Sequence, residues 1–147
     1  MKSSYLFALG LIPLLAWAQH PTRSYLNSPT AQQRHLPFSS GVVVGNTLYI
    51  AGTLGSDPGA KTPITAEEES RRVMSGIQRT VQQAGMTMGD LVWVQVFCTN
   101  LADYDAFNRV YETYFHGNYP ARAFIGASSL LYGARYEVMG IAVRRTK

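Results

Sequence analysis

The chain has 147 residues, 46% of them hydrophobic and 15% charged, with a formal charge of +4. That length buries the core of one domain. The charge is spread along the sequence without a basic run or stripe, which argues against a polyanion-binding surface, and the single cysteine, Cys98, excludes an intrachain disulfide.

The first 18 residues differ from the rest. Lys2 is a positive start, residues 5–15 are apolar and uncharged, and Ala16-Trp17-Ala18 has the small-x-small pattern of a cleavage site. This is the layout of a secretory signal peptide, and its apolar part is shorter than the roughly 20 residues that span a bilayer. The expectation is export to the periplasm or beyond, with a mature domain from Gln19 to Lys147 and no later membrane span.

A polar stretch follows, with a short strand expected near Ser24–Leu26. Two β-branched and aromatic runs, residues 41–44 and 47–52, flank Gly45-Asn46 and predict a tight hairpin. Thr65-Ala-Glu-Glu68 has the form of a capping box, in which Glu68 reaches back to the Thr65 amide. Val73, Ile77, Val81 and Ala84 give the helix after it one apolar stripe, and Gly85 is its stop. Gly76 inside this helix reads as a close-packing point.

Residues 91–99 predict a strand and Asp103 the cap of a second helix over 104–115, with Phe107, Val110, Tyr111 and Tyr114 inward. Residues 121–127 and 135–144 are the last two strands. Two helices can cover one face of such an α+β sheet. Along the long strands both alternating sets are mostly apolar: Val92, Val94, Val96 and Cys98 against Leu91, Trp93 and Phe97, and Tyr136 and Val138 against Met139, Ile141 and Val143. The second face must also be covered, and another copy of the chain in closed symmetry is the economical cover.

His20, His35 and His116 lack the spacing of metal ligands, and no nucleophile elbow, phosphate loop or dinucleotide fingerprint occurs. Cys98 alternates with valines and reads as an inert buried thiol. Two charged residues stand on strands that want burial: Arg122, sharing a face with Phe124, and Glu137. A charge there is costly unless paired, so the plainest reading of the residues alone is an Arg122–Glu137 ion pair.

Tyr119-Pro-Ala-Arg122, with Glu137 fifteen residues later in Arg-Tyr-Glu-Val-Met-Gly-Ile-Ala-Val-Arg-Arg, resembles the C-terminal signature of the Rid family, the reactive-intermediate (imine/enamine) deaminases also called YjgF. Asn108-Arg-Val-Tyr111 with the residues through Phe115, the hairpin ending at Gly52, and Ala84-Gly85 resemble further segments of that family in the same order. The resemblance implies a chorismate-mutase-like α+β fold, two helices on one face of a mixed sheet, and a homotrimer with sites between subunits. It implies that Arg122 binds a substrate carboxylate and Glu137 activates water, that the Gly52 backbone lines the site and that Asn108 supports it. The ligand would be a small 2-imino acid or its 2-keto product, with no metal, organic cofactor or nucleic acid. Phe38, Ala51, Phe124, Leu131 and Met139 depart from the family pattern, and Phe38 and Phe124 make the expected pocket more apolar. Three activities are consistent with the resemblance: 2-imino acid hydrolysis, carboxylate binding without turnover, and RNA cleavage, which the scattered charge disfavours.

Overall fold

The structure, a computed structural model, describes residues 21–56, 59 and 65–145. The expected signal peptide lies outside the described residues. The elements in chain order are β1 (Arg23–Leu26), α1 (Pro29–Gln33), β2 (Gly41–Val44), β3 (Thr47–Leu54), α2 (Ala66–Gln83), β4 (Leu91–Cys98), α3 (Tyr104–Tyr111), β5 (Ala121–Gly126) and β6 (Tyr136–Val143). They form one mixed six-stranded sheet in the order β1-β2-β3-β6-β4-β5. β4 and β5 run parallel, joined through α3, while the other neighbours are antiparallel.

The core lies between one face of this sheet and the two long helices. Val73, Ile77 and Val81 of α2 and Phe107 and Tyr111 of α3 pack with Leu48, Val94, Val96, Tyr136 and Val138. The Thr65 hydroxyl accepts from the Glu68 amide at 3.1 Å, as a helix cap should. The reciprocal half of the expected box does not form: the Glu68 carboxylate lies 2.5 Å from Arg72 one turn on. That i, i+4 pairing also suits an exposed helix face. At the other end Gly85 has φ +66°, the left-handed conformation that stops a helix.

Gly76 is a close-packing point. A Cβ there would lie 2.6 Å from Thr53 Cγ2 on β3. Asp103, expected to cap the second helix, makes no cap hydrogen bond, because its carboxylate is taken by Arg135 at 3.0 Å. α3 is also shorter than its apolar pattern predicts and tightens into a 3-10 turn over Glu112–Tyr114.

β4 departs from simple alternation at its start. Leu91 pairs with Ala142 and Trp93 with Ile141, so Val92 is an extra residue. This bulge puts Leu91 in the core and leaves Val92 47% exposed, the reverse of the expectation for both. From Trp93 on, alternation holds. The second face carries Tyr49, Trp93, Phe97, Met139, Ile141 and Val143, none of them buried within the chain.

Candidate functional site

Arg122 sits second on the edge strand β5, in register with buried Val94. Paired residues project to the same side of a sheet, so its side chain starts toward the helix face. Because β5 has no further strand outside it, the guanidinium extends over α3. Tyr104, Phe107, Asn108 and Tyr111 recur at i, i+3, i+4 and i+7, which makes them one helical face. All four touch Arg122. Its Cζ lies 4.5 Å from the Tyr111 ring centroid and 5.8 Å from those of Tyr104 and Phe107. Phe124, two residues along β5, is 5.7 Å away.

Rings at this range attract a cation through their quadrupole. Asn108 Oδ1 accepts a hydrogen bond from Arg122 Nη2 at 2.7 Å. The guanidinium is thus held in one orientation, while most of its five donors have no partner among the described residues. Burial pushes the Tyr111 hydroxyl up to about 12, so it stays protonated beside the arginine.

Glu137 is second on β6 between buried Tyr136 and Val138, and alternation turns it to the other side of the sheet. It is half-buried at one end of the uncovered apolar face, opposite Leu54 on β3 and Phe97 on β4. The register of β3 slips between Ile50 and Thr53, where Gly52 lies. A Cβ on Gly52 would collide with the Glu137 carboxylate. The bare backbone at position 52 is therefore what admits the carboxyl group. Phe38, Ala51, Gly52, Leu131, Tyr132 and Glu137 line a common cavity of about 900 Å³.

The six residues singled out from sequence therefore sort into two groups of three. Arg122, Asn108 and Phe124 meet on the helix side, and Glu137, Gly52 and Phe38 meet on the opposite side. The Arg122–Glu137 ion pair expected from the residues alone does not form. The residues stand on strands separated by β4, three register positions apart and on opposite faces.

Sequence reading missed two contributions. The rings of Tyr104, Phe107 and Tyr111 share the spacing of Asn108 on one helical face, but the sequence reading places Phe107 and Tyr111 in the core and gives Tyr104 no role. Glu69 carried no signal beyond being the third acid of a run. It is fully buried, and its Oε1 accepts from the backbone amides of Arg135 and Tyr136 at 2.5 and 3.1 Å. Its second oxygen lies 3.6 Å from Arg135 Nε, while Arg135 also binds Asp103. Its hydrogen bond to the Asp103 carboxylate holds the Arg135 guanidinium more firmly protonated than usual. The network ties the start of α2 and the segment entering α3 to the strand that carries Glu137. Among the described residues, no three His, Cys, Asp or Glu side chains gather as a metal site requires.

Residues 28–144 match the family model described as Endoribonuclease L-PSP. The 2-iminobutanoate/2-iminopropanoate deaminase of Capra hircus is 36% identical over 110 residues, 74% of this chain and 80% of that protein. Among solved structures, the Rid-family protein YyfA of Yersinia pestis superposes with a TM-score of 0.76 at 28% identity, over 84% of this chain and all of that one. Escherichia coli TdcF with bound serine superposes with a TM-score of 0.70 at 27% identity, over 74% and 89%. The mixed sheet with two helices on one face is thus the chorismate-mutase-like architecture of these proteins.

Proposed function

The chain belongs to the Rid (YjgF/YER057c/UK114) family, and on that basis we propose that it hydrolyses reactive 2-imino acids to 2-keto acids and ammonia, at sites completed between neighbouring copies in a homotrimer. The observation that carries this reading is the sorting of Arg122 and Glu137 onto opposite faces of one sheet, each with its own supporting residues. Two half-sites that face away from each other within one chain meet when one copy's helix-side edge approaches another copy's uncovered face. That face is apolar, which favours its burial against a second copy.

In this arrangement the Arg122 guanidinium grips the substrate carboxylate through two parallel hydrogen bonds. Asn108 and the aromatic rings have already fixed its plane, so little orientational freedom is lost on binding. The clamp sets C2 of the imine beside the Glu137 carboxylate of the neighbouring copy. Glu137 removes a proton from a water as its oxygen bonds to C2, and the C=N π pair moves to nitrogen. Glu137 then returns the proton to nitrogen. Glu137 next carries the proton of the new C2 hydroxyl to that amino nitrogen; the O–H pair becomes the C=O π bond, the C–N bond breaks and ammonia leaves. The names of the goat deaminase and of the serine-bound TdcF structure support a small amino-acid-derived ligand.

The test is release of 2-keto acid from imino acids generated in situ by an amino-acid oxidase. Acceleration over buffer, lost in both Arg122→Ala and Glu137→Gln, is expected. Saturable 2-keto acid binding that needs Arg122 but comes without turnover would replace the enzyme with a carboxylate binder. The export proposal is checked separately, by the mass of the protein recovered outside the cytoplasm, which should begin at Gln19.

A further inference from the structure

Along the sequence the arginines are dispersed, but folding brings four of them to the lining of one cavity. Arg34, which follows α1, and Arg71, Arg72 and Arg79 of α2 line the same cavity as Glu137 and Gly52. On α2, Arg71, Ser75, Arg79 and Gln83 recur every fourth residue and all line the cavity, with the Ser75 hydroxyl also 2.9 Å from the Tyr114 hydroxyl. Arg72 is paired with Glu68. Among the described residues no carboxylate lies within ion-pair distance of Arg34, Arg71 or Arg79. None of the helix arginines stands in the last turn, where the helix dipole would account for it. Arg71 feels the nearby Glu67 carboxylate, which leaves Arg34 and Arg79 as the guanidinium groups of this lining with no carboxylate partner among the described residues.

β3 lines this cavity beyond the end of its pairing with β2. β2 pairs with β3 only as far as Ile50, and beyond it the Ala51 amide bonds to the Ser40 carbonyl at 3.0 Å. Ala51, Gly52, Thr53 and Leu54 of this segment line the cavity together with Glu137 and the arginines. Its volume of about 900 Å³ lies near the top of the range for small-molecule sites. An imino acid of three or four carbons leaves most of it empty.

We propose that Arg34 and Arg79 form a second anion subsite, and that the preferred substrate is a 2-imino acid with a second carboxylate at its far end. This deepens the proposed function and rests on it: the neighbouring copy's Arg122 holds the carboxylate next to the imine, and Arg34 and Arg79 take the distal one. The apolar side chain of Phe38 lies along the carbon chain between them.

The experiment compares full-length protein with the variant Arg34→Gln/Arg79→Gln. Imino acids are generated in situ from aspartate and glutamate and, in parallel, from alanine and 2-aminobutyrate. The ratio of kcat/KM for dicarboxylic over monocarboxylic substrates should exceed about tenfold and fall toward one in the variant, as the loss of a charge-assisted hydrogen bond predicts. A ratio near one in the unmodified protein overturns the proposal. If nothing is turned over, the failure belongs to the catalytic reading, and calorimetry with glutarate against butyrate reads the subsite alone. Tighter glutarate binding that the variant loses supports the subsite, and equal binding sinks it. A single-stranded RNA oligonucleotide that binds through the same arginines and is not displaced by glutarate would also overturn it, in favour of a polynucleotide surface.

Discussion

Arg122 and Glu137 project from opposite faces of one sheet, with strand β4 between the strands that carry them. The proposed site, which uses both, draws them from different copies of the chain. Complementation tests this directly. Arg122→Ala and Glu137→Gln homo-oligomers are each expected to be inactive. Unfolding and refolding them together at equal concentration should restore about one quarter of the wild-type specific activity, the share of interfaces that receive both intact residues in random closed assemblies. Recovery of no activity, with mixed assemblies verified by mass spectrometry, would place both residues of the working site in one chain.

Asn108 holds Arg122 through one hydrogen bond at 2.7 Å. Asn108→Ala should lower kcat/KM by about tenfold through loss of that orientation, with a near-wild-type melting temperature. Asn108→Asp should cost more, because a carboxylate 2.7 Å from Arg122 competes with the substrate for the same guanidinium. Steady-state kinetics with thermal melts of both variants checks the order.

At Gly76 two effects oppose each other. Alanine gains about 1 kcal/mol in helix propensity. Its Cβ would sit 2.6 Å from Thr53 Cγ2, a contact that forces α2 away from β3. Overpacking of this kind costs about 1–3 kcal/mol, so Gly76→Ala should lower the urea midpoint. Adding Thr53→Ser removes the methyl group and should return the midpoint to wild type or above. Additive effects in the double variant would exclude the Gly76–Thr53 contact as the cause.

Folding raises the Tyr111 pKa to about 12 through burial, against about 10 in an unfolded chain. Below pH 10 both states keep the proton. From pH 10 toward 12 the unfolded state loses it first, so stability falls as pH rises, with a slope of up to about 1.4 kcal/mol per pH unit from this group. Tyr136 is raised by burial as well and acts in the same direction. Tyr111→Phe should flatten the decline between pH 10 and 12 in urea midpoints, leaving the part due to Tyr136. A decline as steep as wild type would exclude Tyr111 as a contributor.

Much of the fold was legible because its signals are local. The hairpin turn at Gly45-Asn46, the Thr65 cap, the Val73–Ile77–Val81 stripe and the Gly85 stop each depend on residues within a few positions. The misses share the opposite character. Glu68 chose Arg72 over the Thr65 amide, Asp103 chose Arg135 over a helix end, and a bulge exchanged Leu91 for Val92 in the core. Each is a competition between a local partner and one that folding delivers, and spacing along the chain does not decide such competitions.

The candidate site divides along the same line. By themselves the residues identified Arg122 and Glu137 as the charges out of place on apolar strands, since a charge on a surface that must be covered is evident from alternation alone. Only the tertiary structure decided that the two face apart, that four rings and Asn108 orient the arginine, and that Arg34, Arg71 and Arg79 share a cavity with the carboxylate. Strand order and helix packing set those distances, and they arise from contacts between residues tens of positions apart, where the chain itself imposes no geometry.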